Sequence, residues 1–353
     1  MYRNIQLLRL AGALLVFLHH VRFHYAAILG GNPLLLRLMD FGYAGVDLFF
    51  VISGFIMMHL ITDGQPHERV PWKFLGRRFV RIYFWYWPCL LVAIAELLLF
   101  HPARLAQVSI VDSIFLTSIS LERLVLFVSW SLSYELLFYA ATALLLFARP
   151  AWVPRIVTAA LLLQIACTAL GTYSEGTLVS FLTSPFNIEF LAGCQLFFWR
   201  RWISKYGHEV LLAGLAAIFV WLGVRYGITS IVLRVPTFGL GALFIVCLAV
   251  RLEASGRFAA GNVLVAAGEA SYTLYLTHLS FISFFAHAGI GSHLAGMGAI
   301  GRVFGFLVFI VAMVGACVYV NRRVEMPLVR WGYRLFRLNS APGGNATRAT
   351  IPP

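Results

Sequence analysis

Apolar runs of about 20 residues recur along the whole chain, separated by Gly, Pro and charged clusters, and about that length of helix is needed to cross roughly 30 Å of hydrocarbon. The breaks predict ten helices, at 5–24, 44–62, 80–100, 125–147, 154–171, 184–199, 208–224, 231–250, 268–288 and 299–320. The pattern therefore predicts an all-α, polytopic membrane protein. Ten spans leave about 150 of the 353 residues for loops and termini, too few for a second folded domain. The expected organisation is one transmembrane domain over 1–338 and a tail over 339–353. That tail is rich in Ser, Pro, Gly and Thr and reads as disordered.

Composition agrees with the pattern. With 61% apolar and 12% charged residues the chain is excluded from water-soluble folds, and 15% aromatic content excludes disorder. Five cysteines, Cys89, Cys167, Cys194, Cys247 and Cys317, lie far apart inside apolar runs and read as core residues rather than a disulfide framework. No metal motif, Walker loop or dinucleotide fingerprint is present.

The net charge is +13, and 25 of the 27 basic residues are Arg. In a soluble chain such a surplus points to nucleic acid, but here the membrane accounts for it and no nucleic-acid partner is expected. If the N-terminus is cytoplasmic, the inner segments hold 19 basic residues and the outer ones only Arg37, Arg104, Arg123, Arg225 and Arg234. An even number of spans then places both ends in the cytoplasm. Arg9, His19 and His20 interrupt the first span, so it reads as a retained helix and not as a cleavable signal.

Function must come from polar groups placed in lipid, where an ionisable side chain costs about 2.5–3.5 kcal/mol at the bilayer centre. Arg9 and His20 are separated by three helical turns and about 20°, with about 16 Å of rise, so they share a face. Arg9 falls near the cytoplasmic mouth and His20 in the outer half. His24 follows one turn later on that face, while His19 is rotated away by about 100°. Asp47, entering the second span from outside, reaches the depth of His20. It either orients that imidazole, as the acid of an acyl-transfer triad does, or serves as an N-terminal helix charge. Arg78 and Arg81 are i, i+3 neighbours whose guanidinium forks either converge on one phosphate-bearing ligand or anchor the helix at the interface. In the fourth span Ser131 and Glu135 share a face. Glu135 either pairs with an intramembrane Arg or shapes a polar reaction chamber. Tyr275 and His278 form a second polar stripe in the ninth span, with a structural or a substrate-binding role.

These segments in order resemble the acyltransferase 3 family of bacterial integral-membrane acyltransferases. The marks are Leu8-Arg9 with His20 after ten further residues, GVDLFFVISGF at 45–55, Arg78-x-x-Arg81-Ile82-Tyr83, WSLSYELLFY at 130–139, SYTLYLTH at 271–278 and Glu325-Met326-Pro327. Phe84 departs from the family, which commonly has proline there, as does Leu10-Ala11-Gly12 after Arg9. The resemblance implies about ten transmembrane helices in the bacterial inner membrane, an acyl-CoA co-substrate, acetyl-CoA first, and no metal. It implies a carbohydrate acceptor at or beyond the outer face, either polysaccharide or lipid-linked oligosaccharide, and the form Trp-Ser-Leu-Ser-Tyr-Glu at 130–135 is similar to the stand-alone exopolysaccharide-modifying branch. The resemblance matches His20 to the family's reactive histidine and Arg9, Arg78 and Arg81 to its arginine motifs, and with the residue reading above the expected site has His20, Asp47 and Glu135 as catalytic residues. Arg9, Arg78 and Arg81 bind the co-substrate, and Ser131, Tyr275 and His278 bind the acceptor. A proton-coupled transporter or lipid-linked sugar flippase is the alternative reading of the same buried charges, followed by a non-catalytic membrane scaffold.

Overall fold

A computed structural model describes residues 2–25, 33–117, 123–173, 178–226 and 230–338. The tail over 339–353 and the side chain of His24 lie outside the described residues. All regular structure among the described residues is helical. The principal helices are α1 Arg3–Tyr25, α2 Gly45–Asp63, α3 Pro71–Phe100, α4 Trp130–Leu145, α5 Val153–Ala169 and α6 Phe186–Tyr206. They continue with α7 Glu209–Tyr226, α8 Leu240–Ala254, α9 Ser271–His287, α10 Ala299–Val320 and α11 Met326–Leu335.

Seven helical stretches among the described residues are long and apolar enough to cross a membrane: Arg3–Arg22, Leu36–Asp63, Pro71–Phe100, Pro150–Ala169, Glu209–Tyr226, Ile231–Ala254 and Ala299–Leu335. The other three expected positions are helical as well, but differ in kind. Helices α4 and α9 have only 16 and 17 residues, and α6 carries Glu189, Arg200, Arg201 and Lys205. Of these polar residues Glu189 is buried in the bundle, whereas Arg201 and Lys205 at the far end of α6 are exposed.

Helix α3 begins at Pro71, nine residues before the expected start at 80, because proline suits the first helical position, where no N–H is required. The extension puts Arg77 and Arg78 on the same rigid helix as Arg81 rather than in a loop. Phe84, at the departure from the family pattern, packs its ring 5.8 Å from Trp331 of α11. The N-terminus of α1 lacks an acidic residue of its own, and Glu253 at the end of α8 supplies one. Its two carboxylate oxygens accept from the backbone N–H groups of Arg3 at 2.9 Å and Asn4 at 2.8 Å.

Helix α2 is the centre of the bundle, between α1 and α6. Its contacts depend on glycine, as close approaches between membrane helices commonly do. A Cβ on Gly45 would fall 2.3 Å from the carbonyl oxygen of Gly12, and one on Gly54 would fall 1.9 Å from that of Phe190. Both glycines belong to the GVDLFFVISGF segment. Around the α2–α6 contact, Phe138 stacks on Phe190 with centroids 3.9 Å apart, and Phe50 packs against Tyr134 and Phe186. The outer helices α5, α7 and α10 expose Leu162, Leu163, Leu211, Trp221, Phe304 and Val311 to the surroundings, as lipid-facing helices must. Of the five cysteines, four are buried and Cys167 is half-buried, and none is paired.

Two π turns break the helical register. Val235–Gly239 follows Arg234, and Asn321–Glu325 ends on Glu325. Wider turns of this type rotate the side chains that follow them and are frequent at functional sites. Here both turns accompany a charged residue that points into the bundle.

Candidate active site

A cavity of about 100 Å³ lies among α1, α2, α3, α4 and α9. Six of the nine expected site residues line it: Arg9, Arg78, Arg81, Ser131, Glu135 and Tyr275. Each comes from the segment expected to carry it, and four distant stretches of chain supply these polar groups. The apolar wall is contributed by Phe49, Ile52 and Met57 of α2.

The three arginines differ in what holds them. Arg78 is 2% exposed and donates to Glu68 at 3.3 Å, while its Nε, also buried, has no hydrogen-bond partner among the described residues. Arg77 shares Glu68 at 2.9 Å and stacks its guanidinium 4.3 Å above the ring of Tyr333 on α11. Arg81 pairs with Glu325, which also receives the hydroxyl of Thr273 and, at 2.8 Å, the amide of Asn321. Arg9 is bonded only to Gln6 on its own helix, at 3.4 Å, with no ion pair among the described residues. Two of the three cations thus arrive with a counter-charge and one does not. A half-buried guanidinium on a cavity wall, without an ion pair among the described residues, suits an anionic guest. Ser271, 1% exposed on the cavity wall, adds a hydroxyl oxygen without a partner among the described residues.

Glu135 does not form the arginine strut that was one of its expected readings. The hydroxyl of Tyr139, one turn along α4, donates to its carboxylate, and the pair faces the cavity. The Ser131 Oγ lies 2.8 Å from the hydroxyl oxygen of Tyr275, which itself donates to the carbonyl of Val128 at 2.8 Å. Tyr275 is therefore fixed across the α4–α9 contact, with Phe49 packed edge-on against its ring at 5.8 Å.

His20 and His278 sit beyond this wall and do not line the cavity. His20 is half-buried and His278 fully buried. The Nδ1 of His20 lies 2.9 Å from the carbonyl oxygen of Val16 and 3.2 Å from Nε2 of His278. The shared face expected for Arg9 and His20 is the one turned to α9. His19 is rotated off it, its Nδ1 lying 2.7 Å from the carbonyl of Asp40.

Two expected roles are corrected by this geometry. Asp47 does not orient His20. It is fully buried and held by Arg234, whose Nε lies 2.8 and 2.9 Å from its two oxygens, with Glu189 buried nearby. A buried carboxylate gains more from a forked guanidinium than from a neutral imidazole, which is the physical reason for the pairing. His278, expected to touch the acceptor, has no accessible surface for it and contacts His20 instead.

Sequence reasoning missed the counter-ions Glu68, Glu325 and Arg234. Glu325 had a signal, since Glu325-Met326-Pro327 was one of the marks, but a mark without a partner carries no role. Glu68 lies in a short polar connection and Arg234 was counted as an outer loop residue, so nothing in the one-dimensional pattern singled them out. No group of three or more His, Cys, Asp or Glu residues among the described residues is arranged to hold a metal ion.

A family model described as an acyltransferase domain matches residues 2–322. The exopolysaccharide production protein ExoZ of Rhizobium meliloti (strain 1021) is 32% identical over 316 residues, covering 86% of this chain and 95% of ExoZ. No solved structure matches the chain. A helical bundle with seven membrane-length stretches, a polar cavity in its interior and a family match over nearly all of its length identify the chain as a multi-pass membrane acyltransferase that belongs to the acyltransferase 3 family.

Proposed function

We propose that the protein moves an acyl group, acetyl first, from cytoplasmic acyl-CoA to a hydroxyl of an extracytoplasmic or lipid-linked sugar of an exopolysaccharide. Its place is the bacterial inner membrane, with ten spans and both chain ends in the cytoplasm. The observation that carries the reading is the convergence of Arg9, Arg78 and Arg81 on one cavity inside the bundle. Coenzyme A brings phosphates that cannot enter hydrocarbon and a thioester on a long flexible arm. The guanidinium forks suit the first, and a cavity whose other walls are apolar residues of α2 and side chains of α9 suits the second. The exopolysaccharide acceptor is supported by the likeness to ExoZ.

In this reading His20 is the reaction centre. The acceptor hydroxyl gives its proton to the imidazole as its oxygen attacks the thioester carbonyl carbon. The C–S bond then breaks, and the departing thiolate takes the proton to leave as free thiol. A positioned base of this kind contributes typically 10²–10⁴-fold, so holding thioester and alcohol together must supply much of the remaining acceleration. Glu135, Tyr139 and Ser131 keep the donor cavity polar, and Asp47 acts at a distance, by fixing α2 to Arg234.

The test compares surface glycans by NMR and mass spectrometry from cells with the native protein, with His20→Ala and with no protein. Loss of the same ester signal in both deficient strains is expected and names acyl group and acceptor together. An ester content in His20→Ala equal to that of the native strain would overturn the reading. Acyl label recovered covalently on His20 would reassign it from base to acyl carrier.

A further inference from the structure

The two imidazoles beyond the cavity wall determine where each other's protons sit. The Nδ1 of His278 lies 2.8 Å from the carbonyl oxygen of Tyr275, an atom that only accepts, so Nδ1 carries the hydrogen. In the neutral ring the lone pair is then on Nε2. That lone pair faces Nδ1 of His20 at 3.2 Å, and the other neighbour of Nδ1 is the carbonyl oxygen of Val16 at 2.9 Å. Both neighbours are acceptors, so Nδ1 of His20 carries its hydrogen as well. The remaining nitrogen, Nε2 of His20, is left bare and has no hydrogen-bond partner among the described residues.

The two acceptors are not equivalent. The Val16 carbonyl already receives the α1 ladder bond from the backbone N–H of His20, four residues on, whereas the Nε2 lone pair of His278 has no other donor. His278 is 0% exposed, so water does not compete for that lone pair. We propose that His278 is the positioning residue of the enzyme. It holds His20 as the Nδ1–H tautomer, which presents Nε2 to the substrates, and it shares the positive charge when Nε2 receives the hydroxyl proton. An imidazole thus occupies the place that a carboxylate takes in a Ser-His-Asp arrangement. A neutral acceptor is the cheaper choice at this depth, because a buried carboxylate needs a cation of its own.

The inference rests on His20 being the reaction centre, and the test separates the two. Full-length protein labelled with ¹⁵N-histidine is placed in bilayers, and the His20 signals are found by difference from His20→Gln. The native spectrum is expected to show a protonated Nδ1 and a bare Nε2. In His278→Leu the fraction in that tautomer falls, while His278→Gln, whose amide oxygen accepts the same bond, retains it. In membranes supplied with labelled acetyl-CoA and de-esterified polysaccharide, kcat is expected to fall 10–100-fold in His278→Leu with KM for acetyl-CoA within twofold. His278→Gln is expected to recover at least tenfold of that loss. A bare Nδ1 on His20 in the native protein, which needs no variant to fold, overturns the inference. So does an unchanged spectrum or kcat in His278→Leu. A fully active His20→Gln overturns the underlying reading, whereas an inactive His20→Gln beside an undisturbed His278→Leu overturns the positioning role alone.

Discussion

Arg234 and Asp47, 187 residues apart in sequence, form a forked ion pair at the end of the central helix, with the carboxylate fully buried. Removing Arg234 leaves Asp47 and the neighbouring Glu189 without their cation in a low-dielectric interior, and removing Asp47 breaks the fork and leaves Arg234 with Glu189 alone. Asp47→Ala and Arg234→Ala are each expected to cost about 3–5 kcal/mol, and a double apolar replacement made together with Glu189→Gln is expected to recover most of that loss. Thermal unfolding of purified protein in detergent checks both statements. A combined variant no more stable than the singles would show that the pair is not the source of the loss.

Gly54 faces the Phe190 carbonyl with no room for a methyl group, whereas nothing stands near Gly214 on the outer helix α7. Gly54→Ala must push α2 and α6 apart and is expected to destabilise by about 1–3 kcal/mol or more. Gly214→Ala is expected to be neutral or slightly stabilising, since alanine is the better helix former. Folded yield by size-exclusion chromatography of both variants decides the matter, and equal yields would remove the close-packing argument for the α2–α6 contact.

The fold was largely readable because membrane helices advertise themselves by length, and the GVDLFFVISGF segment was rightly singled out. Its meaning was only half legible. The glycines are contact points for two different neighbours, and the aspartate pairs with a residue that no local pattern connects to it. The cavity was legible for the opposite reason. Arg9, Arg78, Arg81, Ser131, Glu135 and Tyr275 each stood out as a polar group in an apolar run, and in lipid such groups have few places to go except toward each other. What periodicity cannot supply is the pairing of charges across helices. Glu68 and Glu325 became visible as the partners of Arg78 and Arg81 only when the helices were placed side by side.

Arg9 forms no ion pair among the described residues, so its replacement breaks no direct contact with an acid there. Arg9→Ala is expected to raise KM for acyl-CoA by about tenfold, equivalent to about 1.4 kcal/mol, with a smaller change in kcat. Arg81→Ala differs in kind, because it strands Glu325 and its loss is expected to reduce folded protein as well. Donor titrations on membranes normalised for folded protein separate the two effects. An unchanged donor KM in Arg9→Ala would remove that residue from the co-substrate site.

The hydroxyl of Tyr275 links α9 to both Ser131 and Val128. In a double-mutant cycle Tyr275→Phe and Ser131→Ala are expected to be coupled by about 0.5–1.5 kcal/mol in stability, the net worth of one hydrogen bond. Strict additivity would show that the two hydroxyls do not meet in the membrane.

Tyr275 belongs to the cavity wall and also packs toward His278, with ring centroids 6.1 Å apart, and Phe49 backs it from α2. An enzyme that serves reactants from opposite faces of a charged membrane runs the risk of becoming a leak for protons and small ions. If the cavity is the donor site proposed above, Tyr275 and Phe49 put aromatic rings beside both the donor and the histidines, an arrangement that would hinder the passage of protons and small ions along the bundle.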